Sequence, residues 1–105
     1  MTISLHNIIP ILNANFKGVD ESMHFDNVSI DSRSLQNNNK TLFFALVGRN
    51  NDAHIYIKDL ISKEVINFVV THIPEGLENK ANFIIVENTL VAFQKSLNYD
   101  FRLYL

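Results

Sequence analysis

Residues 41–47 read TLFFALV, a nearly unbroken apolar run. A strand with one wet face alternates apolar and polar residues. A run without alternation fits a strand covered on both faces, inside a sheet with layers on either side. A second extended stretch, residues 27–31 (NVSID), lies just upstream. Each run ends in a polar cluster. The first ends in Asp31, Ser32 and Arg33. The second ends in Gly48, Arg49, Asn50, Asn51 and Asp52, with His54 close behind. If the two strands are adjacent and parallel, both clusters open onto one edge of the sheet. That edge is where open α/β sheets place ligands.

The remaining elements follow from periodicity. Leu5, Ile8, Ile9 and Leu12 have helical spacing, with Ser4 as a candidate cap. Pro10 sits past the first turn of that helix and either kinks it or delays its start. Residues 16–19 suit a short strand with a turn or bulge at Lys17 and Gly18. Residues 34–40 hold three consecutive asparagines, which is loop chemistry. Asp52 can cap a helix that buries Ala53, Ile57, Leu60 and Ile61. Residues 67–71 (NFVVT) and 82–87 (NFIIVE) read as strands, separated by a loop with Pro74 and Gly76. Asn88 can cap a last helix with Leu90, Phe93, Leu97 and Phe101 along one face. The spacing from Leu42 to Val70 suits a crossover joining parallel strands. The stretch from Val70 to Phe83 is too short for a helical crossover, so a hairpin-like connection and a mixed sheet are expected.

Composition narrows the function. The chain has 105 residues, enough for one domain, with 47% hydrophobic and 19% charged residues. A formal charge of -2 gives no electrostatic footprint for nucleic acid or an anionic membrane. No apolar run approaches the ~20 residues of a membrane helix, and residues 1–12 do not read as a signal peptide. The absence of cysteine excludes disulfides and thiolate metal sites, and fits a cytoplasmic protein.

Ser32 has no identifiable base and no Gly-x-Ser-x-Gly setting, so it does not read as a nucleophile. Asp31 and Arg33 around it fit either a structural turn or a ligand-binding turn. His54 beside Asp52 reads as a histidine satisfied at a helix start, and none of the four histidines has metal spacing. No GxxxxGK[ST] phosphate loop is present. The residues Gly48, Arg49, Asn50 and Asn51 offer backbone donors, a cation and two amides. That set suits a nucleobase or a phosphate.

Taken jointly, DSR, then LFFAL-x-G, then N-D-A-H-x-Y-I, a helix, and N-F-V-V resemble the N-terminal domain of the Mur ligases. The run Asp52-Ala53-His54 is similar to the MurF type, which adds D-alanyl-D-alanine to UDP-N-acetylmuramoyl-tripeptide. The wording at Ser34-Leu35, 41–46 and 65–70 resembles the version fused to alanine racemase. The resemblance spans roughly residues 3–94. It implies a three-layer α/β/α fold with a small mixed sheet over residues 1–97, and 98–105 as an atypical tail.

It also implies a domain that recognises the UDP end of a UDP-N-acetylmuramoyl-tripeptide in cell-wall precursor synthesis. Ile30 and Ser32, with Arg49, Asn50 and Asn51, fall where the family touches the nucleotide. No catalytic or metal-binding residue is expected in this stretch, and no cofactor. ATP and Mg serve the full-length family through a central ATPase domain, followed by a C-terminal domain; the 105 residues are expected to be inactive without both. A stand-alone nucleotide-binding module and a MurE-type domain are the competing readings. One departure carries a structural expectation: Glu64 stands where the family usually has glycine, just past a helix end.

Overall fold

The structure, a computed structural model, describes residues 2–33, 35 and 38–98. Its elements in chain order are β1 (Ile3–Ser4), α1 (Leu5–Ile11), β2 (Asn15–Lys17), β3 (His24–Phe25) and β4 (Asn27–Ser29). A 3-10 turn at Asn38–Lys40 leads into β5 (Thr41–Phe44). A second 3-10 turn, Ala53–Tyr56, runs into α2 (Ile57–Ser62). Then come β6 (Asn67–Val70), β7 (Asn82–Ile85) and α3 (Thr89–Asn98). Strands β1 and β3 form a small antiparallel ribbon, and the other five make one sheet in the order β2-β7-β6-β5-β4.

The run at 41–45 is buried throughout, as its composition requires. Side-chain alternation sends Leu42 and Phe44 to one face and Phe43 and Ala45 to the other. Leu5, Ile8 and Leu12 of the α1 region and Ala92 of α3 pack with Leu42 and Phe44. Ile57 and Leu60 of α2 pack with Phe43, Phe68 and Phe83. This is the expected α/β/α layering. Phe43, Phe44, Phe68 and Phe83 are fully buried, each contributing about 1.5–3 kcal/mol of transfer free energy.

The crossover between β5 and β6 joins parallel neighbours, as expected. The hairpin-like link after Val70 does not form. Strand β7 pairs parallel with β6, with Asn67 opposite Asn82. Residues 71–81 make that crossover without a helix. Ile73 and Leu77 pack against the α2-side cluster, covering the sheet where a helix would otherwise lie. The sheet is nevertheless mixed, because β2 runs antiparallel to β7.

Three local readings change. Ser4 stands at the start of α1, but its side chain makes no capping bond. Pro10 lies inside α1 without delaying its start, and the helix ends one residue later. In α3 the buried residues are Thr89, Ala92 and Ser96, with Phe93 set edge-on to Phe44. Leu90 and Leu97 are exposed instead, since the Ala92–Phe93 side fits closest to β5. The Asn88 cap does form, accepting from the Val91 N–H at 3.1 Å. Phe101, Ser34 and most of the 98–105 tail lie outside the described residues.

Glu64 takes the left-handed conformation expected of it, with φ of 73°. The Val65 N–H donates to the Leu60 carbonyl and the Glu64 N–H to the Ile61 carbonyl, both at 3.0 Å. That pair of bonds is a Schellman closure, which favours glycine at the position Glu64 occupies. Asn13 closes α1 in the same way at φ of 53°, where asparagine is better tolerated. Glu64→Gly is therefore expected to raise stability by about 0.5–1 kcal/mol, after allowing for glycine's extra freedom in the unfolded chain. Thermal melts of the two proteins check this. A lower melting temperature in the variant would contradict it.

Candidate functional site

Strands β4 and β5 are parallel neighbours, with Ser29 opposite Phe43. Their carboxyl ends therefore deliver the loops at 30–33 and 46–52 to one edge of the sheet. Each loop is held by its own polar residues. The Ser29 hydroxyl accepts from the Asp31 N–H at 3.1 Å, which stops β4 short of Asp31. Asp31 accepts from the Arg33 N–H at 2.8 Å, an Asx turn, and pairs with Arg33 Nε at 3.2 Å. The Arg33 side chain is largely exposed, so this pair orients the guanidinium more than it stabilises the fold. In the second loop, the Gly48 N–H donates to the Asn51 carbonyl at 2.7 Å, and Val47 bridges Asp52.

Between the two loops lies a cavity of about 460 Å³, lined by Ile30, Asp31, Ser32, Arg33, Asn51, Ala53 and Tyr56. Ile30, Ser32 and Asn51 of the candidate set meet there. Arg49 and Asn50 occupy the exposed tip of the adjacent turn and do not line it. Arg33 joins Ile30, Ser32 and Asn51 from the Asp31–Arg33 turn, for which a ligand-binding role was one of the two readings, while Tyr56 was not among the candidates. Tyr56 had a readable signal: it falls off the buried face of Ala53, Ile57 and Leu60, which leaves an aromatic ring 37% exposed at the helix start. Together with the exposed Ile30 it gives the cavity an apolar side. The Ser32 hydroxyl, the Asn51 amide and the paired Asp31 carboxylate and Arg33 guanidinium supply the polar side. Such a cavity can hold a flat heterocycle carrying an anionic group.

A larger cavity, about 820 Å³, lies between the end of α1 and the start of α3, lined among others by Asn13, Asn15, Thr71, Glu87 and Lys95. It contains no aromatic ring and none of the candidate residues.

His54 is 5% exposed. Its Nδ1 lies 2.6 Å from Asp52 Oδ1, and its Nε2 accepts from the Thr71 N–H at 3.0 Å. Because Nε2 is the acceptor, the ring proton sits on Nδ1 and is donated to Asp52. Asp52 also accepts from the His54 N–H at 2.9 Å, the cap expected of it. These bonds hold the Asp52 carboxyl below its ordinary value of 3.8: the His54 N–H does most, burial opposes it, and the imidazole adds to the lowering.

The sequence has no phosphate loop, and among the described residues no group of three or more His, Asp or Glu could hold a metal. Among the same residues no helix is long and apolar enough to cross a membrane.

No protein-family model matches the chain. Over 92 residues it is 34% identical to the UDP-N-acetylmuramoyl-tripeptide--D-alanyl-D-alanine ligase of Buchnera aphidicola subsp. Acyrthosiphon pisum (strain APS), covering 88% of the chain and 19% of that relative. Over 76 residues it is 34% identical to the ligase of the same name from Synechocystis sp. (strain ATCC 27184 / PCC 6803 / Kazusa), covering 72% of the chain and 16% of that relative. The chain thus spans a minor part of the curated relatives it matches. Two crystal structures of MurF from Acinetobacter baumannii superpose with TM-scores of 0.76 and 0.77, at 14% identity, over 90% of this chain and 20% of theirs. At that identity the superposition speaks for the fold, while the curated matches speak for the type. The mixed sheet between two helical layers and the two matches of sequence together make the chain a MurF-type Mur ligase N-terminal domain.

Proposed function

We propose that the cavity at the carboxyl edge of β4 and β5 holds the uridine diphosphate end of a UDP-N-acetylmuramoyl-tripeptide. In this reading the chain is the substrate-recognition domain of a cytoplasmic, ATP-dependent ligase of peptidoglycan precursors. The observation that carries it is the parallel pairing of β4 with β5, which brings Ile30 and Ser32 to Asn51 beside the Tyr56 ring. The ring and Ile30 suit a uracil face, and the Ser32 hydroxyl and Asn51 amide suit its polar edge. Arg33 is the cation nearest the cavity, and Arg49 on the neighbouring turn is the second candidate for the diphosphate. ATP and magnesium act elsewhere in the ligase, so these 105 residues bind without ligating.

The test is a titration of the isotope-labelled chain with UDP, followed by NMR. A dissociation constant on the order of 1 mM is expected, about 4 kcal/mol of binding, because the sugar and peptide would engage other domains. Shifts are expected at 30–33, 48–54 and Tyr56. Ser32→Ala and Arg33→Ala should each weaken binding, and Arg33→Ala more than Arg49→Ala. A folded chain that gives no shifts there at several millimolar UDP would refute the reading.

A further inference from the structure

We propose that His54 is a positioning residue of this cavity, tethering the turn that carries Asn51 to the end of β6; the inference rests on the UDP reading above. The turn's backbone bonds are local. The Gly48 N–H reaches Asn51, the Ala53 N–H reaches Leu46, and the Ile55 N–H reaches Asp52, all within residues 46–55. The imidazole is different. Its Nδ1–H holds Asp52, the residue next to Asn51, and its Nε2 is held by the Thr71 N–H from beyond β6, 17 residues away.

Ala53 and Asn51 line the cavity on either side of Asp52. A shift of Asp52 therefore moves two walls of the site at once. The ring's own position is fixed by its burial and by stacking on His72, with centroids 4.4 Å apart and planes 12° apart. An apolar side chain could fill the same space, but it could not connect the turn to the sheet. The polarity of this buried residue thus serves the placement of Asn51, and His54 itself does not line the cavity.

The test separates the two halves of the tether. His54→Gln keeps an acceptor where Nε2 stood, facing the Thr71 N–H. His54→Asn keeps a donor where Nδ1 stood, but cannot reach Thr71. UDP titrations are run on the whole 105-residue chain, at temperatures where each variant is equally folded by its own melting curve. The dissociation constant is expected to rise about tenfold in His54→Asn, which loses the link to the sheet, and to stay within about threefold in His54→Gln, where the backbone N–H of residue 54 still holds Asp52. Long-range ¹⁵N spectra of the unmodified protein should find the proton on Nδ1 and none on Nε2.

If both variants lose stability yet bind UDP as the unmodified protein does, His54 is a core pin only. The proposal then falls while the UDP site stands. Equal weakening in both variants, or a proton on Nε2, also overturns it. If the unmodified protein gives no UDP response at 30–33 and Asn51, the site itself is refuted and the tether's role in binding with it.

Discussion

Asn82→Ala is expected to cost about 2–4 kcal/mol of the chain's stability, a large share of the 5–15 kcal/mol typical of a domain. Asn82 opens β7 and is fully buried. Its Oδ1 accepts from the Asp20 N–H at 2.8 Å, and its Nδ2 donates to Asn67 Oδ1 at 2.9 Å. Truncation leaves the N–H and the amide oxygen without these partners, and each orphaned group costs roughly 1–3 kcal/mol where it is buried. Asn67 has little in reserve, because its own Nδ2 is buried without a partner among the described residues.

Gly18 shows how close the fit is: a Cβ there would stand 2.6 Å from the Asn82 backbone, so the loop before Asp20 packs directly on this residue. Urea denaturation of Asn82→Ala, Asn67→Ala and the double variant measures the effect. The coupling between the two sites is expected at about 1 kcal/mol or more. A single-variant loss below about 1 kcal/mol would mean that water replaces the asparagine at little cost.

Asp52→Ala is the second large effect, at about 2 kcal/mol, from loss of a helix cap together with the acceptor for a buried imidazole N–H. Asp52→Asn should cost markedly less, since its amide oxygen can accept from both the backbone and the ring of His54. The two variants also separate in acid. The folded state holds the Asp52 carboxyl below its unfolded value of 3.8. Its stabilising contribution is therefore fully present above that value and is lost as pH falls through the lower, folded one. Denaturation midpoints from pH 6 to pH 2 check the sign. The gap between the unmodified protein and Asp52→Asn should narrow toward pH 2. The side chain is 45% exposed, so the pH-dependent part is the smaller share of the total.

Much of this molecule could be read from residue order, and the failures have physical causes. The run at 41–47 announced a strand covered on both faces because it holds six consecutive apolar residues, 42–47, and such stretches have few other uses. The left-handed residue at 64 was legible from the resemblance, which puts glycine just past the helix end where Glu64 stands. The β6–β7 link departs from the expected hairpin because a parallel crossover can do without a helix. Ile73 and Leu77 do the covering that a helix normally does, and a short irregular segment leaves no periodic trace. The α3 face misled because apolar spacing marks what could be buried. Which line is buried depends on the shape of β5 opposite, and the smaller Ala92 fits it.

At the candidate site, residues on the two loops were legible as polar clusters following apolar runs. Tyr56 lies outside both clusters, and only its place off the buried face of the helix start marks it. The tether from His54 to the Thr71 backbone was invisible, since a backbone N–H carries no sequence signature.

The sheet order has a consequence for the way such a chain is made. Strand β2 is synthesised well before β7, yet the two are partners, with Asn15 opposite Ile85. Strands β4, β5 and β6 can pair in the order in which they emerge, each beside its predecessor. At the usual ~5–20 residues per second, β2 waits on the order of 3–15 s on the ribosome before its partner exists. A long apolar strand left waiting would invite association with other chains. Here the waiting strand is Asn-Phe-Lys, short, with its single aromatic side chain set between two exposed polar residues and buried only partly even when the sheet is complete.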